Sequence, residues 1–247
     1  MLPPPGLPPN PAYPLPPPPP GPVPPTPATR ALDARSLGLV RLASIFGLVA
    51  GLVSLADLFL VSPTSIAHTT MTGTTTMVTF SIPARLYLIV ALGTAFELVL
   101  LVLIRLAFAP LASVDPRFGT PATCALLGVI ALPIIGVGSV LLFHSLAGAS
   151  CTSGTVTSGC DFGPGFALGL GLIALGAIVG LIGIVGVLIG LWRLGDRYQE
   201  SNFHIASILT ILPLLDLVGW ILILTSSSAA LRRWGGPGGG GPPAGTF

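Results

Sequence analysis

The scarcest feature of this chain is charge, because 7% of its 247 residues are Asp, Glu, Lys or Arg while 52% are hydrophobic. Soluble domains average about 25% charged residues, so this composition cannot present a wetted surface. Lysine is absent, and the ten basic residues are arginines scattered along a chain of formal net charge +2. Such a pattern excludes a basic patch for nucleic acid. The chain is therefore predicted to be an integral membrane protein whose main partner is the lipid bilayer.

Residue patterns that carry chemistry are also missing. Three cysteines are too few for a disulfide framework or a four-ligand zinc site. The chain contains no recognisable nucleophile–base pair, phosphate-binding glycine loop or HExxH metal motif. We therefore expect no enzyme activity and no cofactor, with an intramembrane enzyme as the most distant alternative.

Five apolar segments are each long enough to cross a bilayer, which takes about 20 residues. They cover residues 37–61, 84–109, 122–148, 165–194 and 204–230. The predicted fold class is all-α, a polytopic membrane protein built as a bundle of five transmembrane helices with disordered tails. The predicted domains are a Pro-rich N-terminal tail (1–35), a transmembrane helical domain (36–231) and a flexible Gly/Pro-rich C-terminal tail (232–247).

The N-terminal tail is unusual in its proline content. Its first 29 residues contain sixteen prolines and no charge, which favours extended polyproline II over helix or sheet. We interpret the tail as a disordered spacer. The alternative is a docking site for a protein partner that reads proline-rich segments.

Arginine placement predicts the orientation. With five spans and a cytoplasmic N-terminus, seven arginines fall inside and three outside, as the positive-inside rule favours. The N-terminus is thus predicted in the cytoplasm and the C-terminus outside the cell membrane. The pair Arg232–Arg233 opposes this orientation, because it then lies on the outer side.

The two outer loops carry no arginine in this orientation. Cys151 and Cys160 lie in one of them, where a disulfide persists, and we predict that they form one. The other loop is rich in threonine. Its run Thr74–Ile82 and the segment Gly154–Thr157 are predicted to pair in a small sheet outside the membrane.

Small residues repeat along two spans. In the fourth span, glycines recur every seven residues and form a nearly straight stripe on one helix face, with a flanking glycine: Gly169, Gly176, Gly180, Gly183 and Gly190. The first span carries a second small-residue face formed by Ser44, Gly47 and Gly51. Small residues let helices approach closely in membranes. We predict that helices one and four pair through these faces, with a homodimer through helix four as the alternative.

Acidic residues lie inside three of the spans. Glu97 and Asp216 fall near the middle of the second and fifth spans, and Asp57 lies about one turn from the outer end of the first. An ionised carboxylate at mid-bilayer costs at least about 2.5–3.5 kcal/mol, so such residues face protein or water. Two interpretations stay open: a proton or cation path through Glu97 and Asp216, or acids that only hold the bundle together. His144 lies at the depth of Asp57, and His68 follows in the adjacent outer loop. For this set we favour a structural Asp–His hydrogen bond over a metal site.

Two stretches carry a family resemblance. The first, from Ser113 to Phe143, begins Ser-Val-Asp-Pro-Arg-Phe-Gly. The second, from Gly186 to Leu224, contains Gly-Leu-Trp-Arg-Leu-Gly-Asp-Arg-Tyr, then a polar link and Ile-Leu-Thr-Ile-Leu-Pro before a final apolar helix. Together they resemble the uncharacterised archaeal multi-pass membrane family catalogued as domain of unknown function 973, over roughly residues 35–230. The resemblance implies a membrane location and an archaeal source, and it supplies no activity, substrate or catalytic residue.

The leading functional hypothesis from the sequence is a structural or interaction role in the membrane, without catalysis. It includes a homo-oligomer or a protein partner bound through the Pro-rich tail. The alternative is a small transporter or a proton- or cation-coupled channel that uses Glu97 and Asp216.

Overall fold

The computed structural model describes residues 26–60, 67–72, 75–147, 149–153, 158–212 and 215–234. The described chain is mostly helical, so the helical class is confirmed. Its helices are α1 (Pro27–Leu60), α2 (Ala84–Ala112), α3 (Gly119–Leu146), α4 (Gly165–Tyr198), α5 (Ser201–Leu209) and α6 (Asp216–Trp234), with a 3₁₀ turn at Pro116–Phe118. Its strands are β1 (Ala67–Thr72), β2 (Thr75–Phe80), β3 (Ser150–Ser153) and β4 (Ser158–Asp161).

Four segments of the described chain are long and apolar enough to cross a membrane. They are Pro27–Leu55, Ala84–Ala112, Pro116–Leu146 and Gly165–Tyr198. Five spans are therefore not confirmed, and the difference lies in the segment 204–230 that was predicted as a single fifth helix.

The first helix begins about ten residues earlier than predicted. Proline suits the first helical position, and Pro27 occupies it in α1. The hydroxyl of Thr26 accepts a hydrogen bond from the amide of Thr29 at 3.3 Å, which caps the helix start. Residues 27–35, which the sequence analysis placed in the disordered tail, are therefore helical, while residues 1–25 lie outside the described chain.

The predicted fifth span is two antiparallel helices. The chain turns between α5 and α6, beginning at Thr210 and Ile211. The guanidinium of Arg233, at the end of α6, lies 2.8 Å from the carboxylate of Glu200, which immediately precedes α5. The two helices thus form a hairpin whose two ends lie together.

The hairpin brings both ends of the helical domain to one side of the bundle. Gly47 of α1 lies against Trp220 of α6, and Gly51, one turn later, lies against Leu217. The two helices are therefore antiparallel, and α6 ends near the start of α1. The described ends of the helical domain therefore lie on one side of the bundle, whereas five crossings would place them on opposite sides.

The helices contact one another in a closed ring. Each packs against the next along the chain from α1 to α6, and α6 packs against α1. One half of this ring contains the starts of α1, α3 and α5 and the ends of α2, α4 and α6; we name it the packed half. Its core includes fully buried side chains from five helices: Leu37, Ile104, Phe108, Leu194, Phe203 and Ile223. We name the opposite half the open half.

The glycine stripe of α4 packs against α3. A Cβ on Gly183 would fall 2.6 Å from the Cα of Gly128, and one on Gly169 would fall 2.9 Å from the carbonyl oxygen of Gly138. The predicted pairing of helices one and four was therefore wrong. The reason is that α3 carries its own glycines at the matching levels, so the closest approach occurs between these two neighbouring helices.

The small residues of α1 serve a different contact. Ser44 is fully buried, and Gly47 and Gly51 face α6 as described above. On α4, Gly176 lies against Ile135, and Gly190 lies against the ring of Phe108 of α2. A Cβ on Gly180 would fall at an ordinary 3.6 Å from the Cβ of Ala131.

A four-stranded antiparallel sheet joins the two loops of the open half, in the order β1-β2-β3-β4. The fold is therefore helical with a small sheet rather than all-α. Strand β2 lies within the predicted run Thr74–Ile82 and pairs with β1 and β3. The predicted partner, residues 154–157, lies outside the described chain. A disulfide joins Cys151 of β3 to Cys160 of β4.

Candidate functional site

A cavity of about 720 Å³ lies within the ring of helices. Its walls come from α1, α2, α3, α4 and α6 and from the link that follows α5. Glu97 and Asp216, the two acids that sequence analysis placed near mid-membrane, both line it. The structure therefore brings together two carboxylates that are 119 positions apart in the chain.

The helical repeat of α2 places Glu97 at the cavity. Glu97, Leu100 and Leu101 all line it, at the three- and four-residue spacing of one helix face. Leu100 is buried whereas Glu97 is exposed. In the described chain Glu97 makes no side-chain hydrogen bond, and its carboxylate interacts electrostatically with Asp216.

The break before α6 positions Asp216. This residue is the first of α6, where the helix dipole favours a negative charge. Trp220, one turn along the helix, also lines the cavity. Gly51 allows α1 to approach, because a Cβ there would fall 2.9 Å from a methyl group of Leu217 and 3.8 Å from an Asp216 oxygen.

The ionisable side chains in the described wall of the cavity are all acidic. Among the described residues that line it, two are acidic and none is basic. Neighbouring carboxylates in a medium of low dielectric repel each other, and each loses hydration when it is taken from water. Holding both in this cavity therefore favours a bound proton or another cation between or beside them.

The link between α5 and α6 forms part of the cavity wall. Thr210 and Ile211 follow the last residue of α5 and line the cavity. Non-helical backbone at membrane depth is tolerated where it is buried in protein or faces a cavity.

Among the remaining candidate residues, those whose side chains the structure describes do not line the cavity. The side chains of Asp57 and His68 lie outside the described residues, and His144 is exposed near the end of α3. Cys124 of α3 faces Gly186 of α4. In the described part of the chain, no group of three or more His, Cys, Asp or Glu side chains could hold a metal ion.

Sequence analysis missed an ion-pair cluster in the packed half. Asp33 of α1 is 2% exposed, and its carboxylate accepts hydrogen bonds from Arg197 at 2.9 Å and 3.2 Å and from the Tyr198 hydroxyl at 3.1 Å. Arg197 also lies 3.9 Å from Asp115, in the connection between α2 and α3. The cluster ties three parts of the chain together. No short-range pattern could have shown it, because Asp33 and Arg197 are 164 positions apart.

Trp220 was also missed as a site residue. It is 7% exposed, lines the cavity and covers Gly47. Its spacing of four residues from Asp216 was the available signal, because residues so spaced meet on one helix face.

Comparisons with known proteins give one match. The family model described as Protein of unknown function (DUF973) matches residues 33–235, which is most of the chain. No curated protein and no solved structure matches it.

Proposed function

The chain belongs to the DUF973 family, whose description names no activity, and from the geometry of its cavity we propose that it is a small cation transporter of the membrane. Glu97 and Asp216 would bind the cation, a proton included. The observation that carries the proposal is that both carboxylates line one cavity without a basic partner among its described walls. This favours the transporter over the purely structural role that led the sequence hypotheses.

Glu97 is poorly explained as a structural residue. An acid that only holds helices together is expected to form hydrogen bonds or ion pairs across the helix contact, as Asp33 does in the packed half. Glu97 has no hydrogen bond in the described chain and is exposed. A role for it in binding a charge from outside the protein accounts for both facts.

The orientation we propose follows from the hairpin. If the packed half faces the cytoplasm, nine arginines lie at or near that side and Arg85 lies at the other. This bias is stronger than the seven against three of a five-span topology, and Arg232–Arg233 no longer opposes it. Both termini are then cytoplasmic, and the sheet and disulfide lie outside.

Thiol labelling tests this topology. In a Cys124→Ala background, single cysteines at Ala12 in the N-terminal tail and at Ala244 in the C-terminal tail should both react only from the cytoplasmic side. The native disulfide of the outer sheet stays intact as long as no reductant is added. Labelling of Ala244→Cys from outside would contradict the proposed topology.

Reconstitution in liposomes tests the transport role. We expect an imposed proton, sodium or potassium gradient to drive flux through the native protein, and Glu97→Gln or Asp216→Asn to abolish it. Asp161→Asn is the matched control, because it removes an exposed carboxylate in β4, away from the cavity. Flux that persists unchanged in both cavity variants, or native protein that conducts none of these ions, would contradict the proposal.

A further inference from the structure

We propose that the ligand of the cavity is an organic cation with an apolar body, such as a lipophilic ammonium or phosphonium ion, and that it enters sideways from the membrane. The inference rests on the proposed function for the role of the two carboxylates. It adds the chemical class of the ligand and its route of entry.

The size of the cavity favours an organic ligand. A water molecule occupies about 30 Å³ of liquid, so an inorganic cation with a few waters fills a small part of the 720 Å³. Cavities of about 300–1,000 Å³ are typical of sites for drug-sized molecules. The space therefore suits a ligand with a substantial body of its own.

The lining determines the chemistry of that body. Apart from its two carboxylates and a few hydroxyl groups, the described wall is made mostly of aliphatic side chains and glycines. Trp220 adds an indole ring beside Asp216. An aromatic ring next to a carboxylate favours the binding of a bulky cation, because the carboxylate attracts its charge and the ring can form a cation–π contact with it. An anion of the same shape would meet repulsion from both acids.

The opening of the cavity lies at the side of the bundle. Helix α5 packs against both α4 and α6 but ends at Leu209. On the α4 side of the cavity, Leu181 and Ile184 are 61% and 52% exposed, and Ile211 after α5 is 59% exposed. These apolar side chains form the rim of the opening and face outward from the bundle. In a bilayer they would contact lipid, into which lipophilic cations partition.

Equilibrium binding of tetraphenylphosphonium to the full-length protein in lipid nanodiscs tests the ligand class. We expect saturable binding that weakens by about tenfold or more in Glu97→Gln and in Asp216→Asn, since removal of one partner of a desolvated charge pair costs at least about that factor. Tetraphenylborate, an anion of closely similar shape, should not compete for the site, and Asp161→Asn should bind like the native protein. Equal binding of both ions, or native affinity in both cavity variants, would overturn the inference.

A rim variant keeps the test valid if the acid variants fail to fold. Leu181→Trp fills the side opening and leaves both carboxylates in place, so it should slow or weaken tetraphenylphosphonium binding while inorganic ion flux continues. Unchanged binding kinetics in this variant would overturn the sideways route. If flux of protons or alkali ions needs both acids but tetraphenylphosphonium does not bind, the ligand class is wrong and the transporter stands. If tetraphenylphosphonium binds but no ion is transported, the ligand class stands and the transporter is wrong.

Discussion

The packed and open halves of the bundle are built by the same helices but are held together in different ways. In the packed half, buried side chains such as Phe108 and Leu194 fill the space between helices, and Asp33 and Arg197 pair across them. In the open half, the helices surround a cavity whose two acids lack a basic partner in its described walls. The packed half therefore stabilises the fold, whereas the open half contains the candidate site.

Small residues form contacts of two kinds. On α4 they let two helices touch, since Gly183 meets the backbone of Gly128. On α1, Gly47 and Gly51 make room for Trp220 and for the residues beside Asp216. Glycine thus closes the contact of α3 and α4 and shapes the cavity wall at α1.

The largest expected effect comes from Gly186→Leu, which forces a side chain into the packed half. A Cβ at this position would overlap the Cβ of Cys124 and lie 3.3 Å from its Cα. Because these two atoms belong to or adjoin the backbone of α3, they cannot move aside without displacing the helix. Overpacking of this kind costs about 1–3 kcal/mol, and more where the blocking atoms are next to the backbone. Thermal unfolding in detergent should show a large loss of stability or no folded protein.

Gly171→Leu is the matched control on the same helix. Nothing lies within 4 Å of a Cβ at Gly171, so this variant should keep native stability. An equal loss of stability in both variants would mean that the close contact of α4 with Cys124 of α3 is not the cause of the effect of Gly186→Leu.

A smaller effect is expected from Asp33→Ala, which removes the carboxylate of the ion-pair cluster. Removal of one partner of a fully buried pair costs about 3–5 kcal/mol. Because the Arg197 side chain is 20% exposed, we expect about 2–3 kcal/mol here. Chemical unfolding measures the loss. Arg117→Ala, whose side chain is 75% exposed, should change stability by less than about 1 kcal/mol, and a similar loss in both would refute the role of the cluster.

The smallest expected effect on stability comes from Glu97→Gln and Asp216→Asn. Glu97 has no hydrogen bond in the described chain, and both substitutions keep the size and shape of the side chain that they replace. We therefore expect no loss of stability beyond about 0.5 kcal/mol in the same unfolding assay, and a gain where the removed carboxylate is ionised, because its repulsion and desolvation end. These variants should nevertheless lose cation binding. Strong destabilisation would show instead that the two acids stabilise the fold, which would contradict the proposed difference between the packed half and the open half.

The sequence predicts the helical membrane character well, because a low charge content and long apolar runs are direct consequences of a lipid solvent. It also identifies Glu97 and Asp216 individually, since a carboxylate in an apolar run is conspicuous. It does not show that they share one cavity, because that depends on how α2 and α6 are arranged around the ring.

The errors have a common physical origin. The segment 204–230 is apolar throughout its length, and hydropathy alone cannot distinguish one crossing from a hairpin that enters and returns. Pro213 predicts a kink, but only the contacts of Glu200 with Arg233 and of Gly47 with Trp220 show that the chain reverses. In the same way, a glycine stripe predicts close packing without naming its partner, because glycines occur on α1, α3 and α4 alike.

The central claim is that Glu97 and Asp216 bind a cation inside the membrane, and carbodiimide labelling tests it most directly. Dicyclohexylcarbodiimide is apolar and converts protonated carboxyl groups in apolar surroundings to stable acylureas, which peptide mass spectrometry locates. We predict an adduct on Glu97 or Asp216 that is suppressed by at least one of sodium, potassium or tetraphenylphosphonium ions, and no adduct on Asp161. An adduct on either cavity acid that forms equally with and without each of these cations would contradict the account.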